Sequence, residues 1–389
     1  MLIYFKPKKM KLKLILVFAF TTLFTFSQKV EEVIESKKLN EKRNFSVLLP
    51  TSYEKNVDKK YPVLYLLDGE YLLDPFSGIL KYGAYWDDLP EMIIVAIHQN
   101  YGETRFNDST YDDDGFPTKT GASFFEFIGS ELIPFVEKKY RTLPFRMIAG
   151  HDTTAGFMNC YLYKDEPIFN AYISISPEMA PEMEDRLADR LTSLPKRIFY
   201  YHATSTGDLE EIQENTKKVD DVVKNNKKPN LNYLYEVLNN TSHYSLVAKA
   251  IPNALYFIFE GYQPISKAEF NDKILTLESG YAKYLIDKYV AIEQKFGLQI
   301  QPRLSDFKAI EAAILKNKAY AELEALSDYA NKQYPKTMLG TYEKALFYEK
   351  TGDIAKAIKE YQKGYSQQEI GHLTKNYLLE RADALKQSK

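Results

Sequence analysis

Cysteine is nearly missing from this 389-residue chain: Cys160 stands alone, so no intrachain disulfide can form and cysteine usage gives no signal of compartment. Histidine is scarce too. The five His residues are scattered without ligand spacing, so no metal site is expected. No glycine-rich phosphate loop is present, and no cofactor is expected. Neither sign of charge predominates: Lys+Arg 51 stand against Asp+Glu 53, interspersed, for a formal net charge of −2. A nucleic-acid binder would show a net basic face, so that class is set aside. Beyond the first 26 residues no apolar run approaches the roughly 20 residues needed to span a bilayer.

What is present begins with export. Lys8, Lys9, Lys11 and Lys13 precede an uncharged apolar run, Leu14 to Phe26, followed by Ser27-Gln28-Lys29. A basic head, a short apolar middle and a small residue at the cut read as a signal peptide over residues 1–27. An uncleaved anchor helix is the other reading, but the run is short for a membrane span. No Cys follows it, so no lipoprotein anchor is expected. The mature protein is expected outside the cytoplasm, secreted or periplasmic, with no membrane span once the signal is removed.

The chain is long enough for two domains and rich in apolar and aromatic residues, with 31 Tyr and 23 Phe. Tyr61 to Leu67 is a near-continuous apolar run that breaks at Asp68-Gly69, as expected for a parallel strand buried on both faces. Phe45 to Pro50, Met92 to Ile97, Arg146 to Gly150, Ala171 to Ile175, Arg197 to His202 and Tyr233 to Leu238 read as further strands. Between them, Phe124 to Lys139 and Ala155 to Tyr163 carry helical spacing. Strands alternating with helices imply α/β architecture, a doubly wound and mostly parallel sheet, over residues 28–264.

After Gln263-Pro264 the pattern becomes all-helical, and residues 265–389 are assigned to a second region. Thr341 to Asp353, followed by Ala355, Ala357, Ile358 and Tyr361, resembles one tetratricopeptide repeat, with Gly352-Asp353 at the turn. Asp306 to Ala330 could supply degenerate partners. A helical cap on the sheet and a module that binds a protein partner are both open.

The strand Met147-Ile148-Ala149 runs into Gly150-His151-Asp152-Thr153-Thr154. This is the frame of the nucleophile elbow, G-x-S-x-G, in which a sharp strand-to-helix turn presents a nucleophile. Asp152 occupies the serine position and Thr154 the second glycine. Glycine there allows close approach, so a β-branched residue is expected to shift the turn.

Other segments fall in order around this frame. They are Lys60 to Glu70, Ile93 to Ile97, Arg105-Phe106-Asn107-Asp108, Glu131 to Thr142, Ser174-Ile175-Ser176-Pro177 and Ser242-His243-Tyr244-Ser245, the last followed by Ile251 to Leu255. Together they resemble the putative-esterase family of α/β-hydrolases, which includes siderophore-lactone, feruloyl and other carbohydrate esterases, S-formylglutathione hydrolases and mycolyltransferases. The similarity runs from about Leu39 to Tyr262. It implies an α/β-hydrolase fold and an ester-like small-molecule ligand. It implies that His243 is the general base and that a carboxylate after the strand Ile198 to Tyr201 orients it. Asp208 is the first candidate and Glu210 the second. It further implies that the oxyanion donors are the backbone N–H groups of Glu70 and Thr153.

Aspartate changes the chemistry. Attack by a carboxylate on an ester carbonyl gives a mixed anhydride, less stable than the starting ester. Attack on a saturated carbon gives an ordinary alkyl-enzyme ester that a His-activated water can hydrolyse. Haloalkane dehalogenases and epoxide hydrolases share this fold and use an elbow aspartate in that way, on a different branch. Two readings therefore stand. One is a hydrolase of ester-like or alkyl substrates with Asp152, His243 and Asp208. The other is a pseudo-esterase whose pocket binds a ligand and whose tail binds a protein.

Overall fold

The computed structural model describes residues 29–226 and 228–387. The expected signal segment, residues 1–27, lies outside them. Among the described residues no helix is long and apolar enough to cross a membrane.

Eight strands form one sheet in the order β1-β2-β4-β3-β5-β6-β7-β8. They are β1 (Lys29–Ser36), β2 (Glu41–Leu48), β3 (Tyr61–Leu66), β4 (Ile93–Ile97), β5 (Thr142–His151), β6 (Ala171–Ile175), β7 (Ile198–Gly207) and β8 (Leu231–Ser242). Strands β3 to β8 run parallel, while β1 and β2 are antiparallel additions at one edge. The continuous apolar runs of β3, β4 and β6 are buried along their whole length. Period-two alternation divides them between two cores. Leu64, Leu66, Met147 and Ala149 face one core, and Val63, Tyr65, Ile148 and Tyr172 face the other.

Strand β1 was not anticipated from the sequence. Its segment KVEEVIES places a charged or polar residue at nearly every second position, and the strand is largely exposed. Such a strand closes a sheet edge without offering it for further pairing, and it lacks the apolar run that marks a buried strand.

Past Pro264 the chain is helical, with long helices at Tyr281–Phe296, Leu304–Lys316, Glu322–Gln333, Met338–Thr351, Ile354–Gly364 and Lys375–Gln387. The repeat-like segment forms a helical hairpin. Gly352 takes φ 91° at its turn, where only glycine is unstrained, and the Asp353 side chain caps the next helix by accepting from Lys356 N.

Topology changes at Pro264, but the core continues across it. Phe296 packs on Phe145, Phe199 and Phe259, with ring centroids 5.5, 5.9 and 5.1 Å away. The apolar cluster beneath this face of the sheet extends without a break to Leu378 and Ala382. At the rim, Arg303 pairs with Asp87 on the far side of the junction. Phe296→Ala removes a ring that is 1% exposed, and the expected cost is about 3–5 kcal/mol. Because the core is shared, urea unfolding followed by circular dichroism should show the whole transition move as one. A second transition that stays in place would contradict this coupling.

Candidate active site

Parallel strands bring their C-terminal ends together, and crevices there collect the residues that follow each strand. Asp68 follows β3, Asp152 follows β5, Ser176 follows β6, Asp208 follows β7 and His243 follows β8.

Asp152 joins β5 to the helix Thr153–Phe157 with φ 60° and ψ −126°. A non-glycine residue in such a region costs about 1–3 kcal/mol and persists only where its surroundings fix it. Here its N–H donates to Ile175 O at 3.0 Å, and its carbonyl accepts from Gly156 N and Glu178 N at 3.1 and 3.2 Å. Its carboxylate is held at the mouth of the crevice.

His243 Nδ1 lies 2.7 Å from Asp208 Oδ1, which directs its Nε2 toward Asp152 Oδ1 at 3.6 Å. The Asp208 carboxylate is completely buried and also accepts from Ser176 Oγ at 2.5 Å and Thr204 Oγ1 at 3.0 Å. Burial alone would push Asp208 up, but these donors outweigh it and hold the carboxyl below its ordinary value. Nδ1–H donation to Asp208 turns Nε2 toward the elbow. Glu210, the other candidate acid, opens the exposed first turn of the helix Glu210–Asn225.

Glu70 and Thr153 sit in the first turns of two helices, where backbone N–H groups have no intrahelical acceptor. The Glu70 carboxylate turns away to accept from Asn100 N at 2.9 Å. The Thr153 hydroxyl donates to Glu178 Oε2 at 2.6 Å. An open pocket of about 340 Å³ lies over this ground, walled by Asn100, Glu103, Arg105, Phe106 and Thr153.

A family model described as Putative esterase matches residues 36–232, just over half of the chain. The chain belongs to this esterase family. A crystal structure of an uncharacterised protein from Capnocytophaga ochracea matches with a TM-score of 0.82 at 27% identity, covering 92% of this chain and 99% of that one. An IroE-like serine hydrolase from Shewanella oneidensis matches at 0.58 and 21%, covering 82% of this chain and 99% of that one. The BES protein from Bacillus cereus matches at 0.52 and 21%, covering 60% and 97%. At 21% identity the likeness concerns the fold. No curated protein matches the chain.

Within this esterase fold, Thr154 stands where glycine was expected for close approach. The close approach falls two residues later, at Gly156, where a Cβ would lie 1.8 Å from Glu178 O. Thr154 is fully buried, and its hydroxyl is used: it donates to Asp68 Oδ2 at 2.6 Å, and His151 N donates to it at 3.1 Å. The hydroxyl braces the turn.

The sequence reading also missed Arg105 and Asp68 as a pair. Arg105 Nε donates to buried Asp68 at 2.5 Å, Nη2 donates to His151 O at 2.9 Å, and Nη1 reaches Asp152 Oδ2 at 3.4 Å. Tyr71 OH donates to the same Asp68 carboxylate at 2.9 Å. His151 Nε2 meets the His243 carbonyl at 3.0 Å, and burial holds this imidazole below the ordinary histidine range. Being neutral, it donates there and ties the elbow to the His243 loop.

Two outcomes follow. Thr154→Val keeps the shape and removes the hydroxyl, leaving buried acceptors and a donor unpaired, so denaturant unfolding should report a loss of about 1–3 kcal/mol. Asp208 has a depressed folded-state value, so its contribution to stability is present above about pH 4 and is lost as pH falls through that depressed value. The gap in urea midpoint between wild type and Asp208→Asn should therefore narrow on acidification below pH 4. A gap independent of pH would refute this account of Asp208.

Proposed function

We propose that this chain is an exported esterase-family hydrolase in which Asp152 is the nucleophile, His243 activates water and Asp208 orients His243. The observation that carries the reading is the elbow itself. A strained backbone at Asp152 is maintained while an imidazole buttressed by a carboxylate faces its side chain. A residue without a task at the tip would have no need of that strain.

The chemistry selects the substrate class. Asp152 attacks a saturated carbon, its Oδ–C bond forms as the leaving group departs with its electron pair, and an alkyl-enzyme ester results. His243 Nε2 then takes a proton from water, and hydroxide adds to the Asp152 carboxyl carbon. The N–H groups of Glu70 and Thr153 stabilise the oxyanion. Collapse expels the alkoxide, which takes the proton from His243, and the Asp152 carboxylic acid left behind releases its proton to solvent and returns as carboxylate. Acyl esters are poor substrates for this nucleophile because the mixed anhydride lies uphill. The Shewanella relative is named as a serine hydrolase; Asp152 moves the present chain away from that nucleophile.

A second reading is favoured by one contact. Arg105 Nη1, 3.4 Å from Asp152, offers the carboxylate a permanent cation, as expected for a pseudo-esterase whose pocket only binds ester-like ligands. Single-turnover reaction in H₂¹⁸O on haloalkanes and epoxides separates the readings. The nucleophile reading expects ¹⁸O in the Asp152 peptide and unlabelled oxygen in the first product, with turnover lowered at least 10³-fold by His243→Ala. No turnover on any alkyl substrate, with new p-nitrophenyl acetate cleavage only in Asp152→Ser, would favour the pseudo-esterase. Export rests on the basic head and apolar run before Lys29. Intact mass of the protein from its native host should lack residues 1–27.

A further inference from the structure

The sheet has a second cavity at the end opposite the elbow. The crevice of the candidate active site lies beyond the C-terminal ends of the parallel strands. Leu48 ends the antiparallel β2, Leu49 follows it, and Met92 precedes β4, so the cavity they line opens at the other pole. Leu80, from the helix Gly69–Tyr85, and Ile94 complete an apolar lining around about 260 Å³. That is far more than a water needs, and its walls offer water few partners.

The rim is unusually apolar for a surface. Tyr85 lines it and is 79% exposed, beside Tyr82 at 63% and Trp86 at 58%, and the Trp86 ring stands edge-on to Tyr85 at 5.0 Å. Large aromatic side chains grouped in water beside an apolar cavity mark a binding surface.

Charge at the rim is not balanced. Glu91 is already engaged, accepting from Lys59 Nζ at 2.7 Å and Ser52 N at 2.9 Å. Lys81 also lines the cavity and has no acidic partner among the described residues. An apolar chain with one anionic end satisfies both features. Its methylenes leave water against Leu48, Leu80 and Ile94, and its head accepts from the free ammonium.

We propose that this cavity binds a medium-chain aliphatic carboxylate, with its head on Lys81 and its chain among the leucines. The site is independent of the chemistry at Asp152. Trp86 is the only tryptophan in the chain, so its emission reports occupancy. The full chain is titrated with decanoate below its micelle concentration, with 1-decanol as the neutral control. Decanoate should give a saturable change, and decanol should bind at least fivefold more weakly. Lys81→Gln, a surface change, should weaken decanoate about tenfold and leave decanol unchanged. Ala84→Phe should block both. An absence of saturable change, or unaltered decanoate affinity in Lys81→Gln, would overturn the proposal. So would decanoate binding that is lost in His243→Ala, which would put the ligand at the elbow. A Trp86 response to phosphatidylcholine vesicles with none to decanoate would show a membrane contact instead and would equally overturn it.

Discussion

The buried carboxylate of Asp68 is the joint on which the candidate site turns. It lies at the end of β3 with φ 54°, fully buried, and receives Arg105, Tyr71 and Thr154. An isolated buried carboxylate is costly, and only pairing with several donors makes it tolerable. Each donor comes from a different part of the site. Thr154 belongs to the elbow, Tyr71 to the helix Gly69–Tyr85 after β3, and Arg105 to the short helix Thr104–Asp108 after β4. Satisfying one charge therefore fixes the relative positions of three segments. The brace continues outward, because Asp68 N donates to Gln99, Gln99 donates to Asp108, and Asp108 pairs with buried Arg43.

Stability of this arrangement is not local to the sheet. The face of the sheet bearing Phe145 and Phe199 is closed by Phe296 from the helical region. Those helices continue the core they cover, so the tail contributes to the scaffold whatever else it binds. The other face is closed by helices within the esterase region, including Phe124, Phe127 and Val136.

The parts of the fold that were legible are those governed by local periodicity. Runs such as Tyr61 to Leu66 and Ile93 to Ile97 announce doubly buried parallel strands because both faces must be apolar. The frame around Asp152 was legible because a strand, a turn and a helix must follow one another in sequence. His243 and Asp208 could be named only through the resemblance to the esterase family, and the structure brings the two together after β8 and β7. Strand β1 was illegible because a charged, exposed edge looks like a loop. The Asp68 network was illegible for a different reason. Its partners are 37 and 86 residues apart, and nothing in the local sequence distinguishes a buried pairing carboxylate from a surface one. Thr154 shows the limit of a motif. Its position was read as a steric problem because glycine is usual there, whereas its hydroxyl pairs with buried Asp68 and the tightest backbone approach in this turn is at Gly156.

An aspartate at the elbow also redistributes work among its neighbours. A serine hydroxyl must lose its proton as it attacks, so the base has to touch it, at a hydrogen-bond distance of about 2.7–3.0 Å. A carboxylate is already an anion and needs no base for its first step. His243 Nε2 stands 3.6 Å from Asp152, too far for a good hydrogen bond, which suits the proposed role of activating a water better than that of deprotonating the elbow residue. Arg105 has the opposite influence. At 3.4 Å it holds the Asp152 carboxylate in place and draws on its negative charge. Because Arg105 is itself shared with Asp68 at a shorter distance, Asp152 receives only part of that charge. The position of Asp68 thereby links the brace beneath the elbow to the charge that Asp152 meets above it.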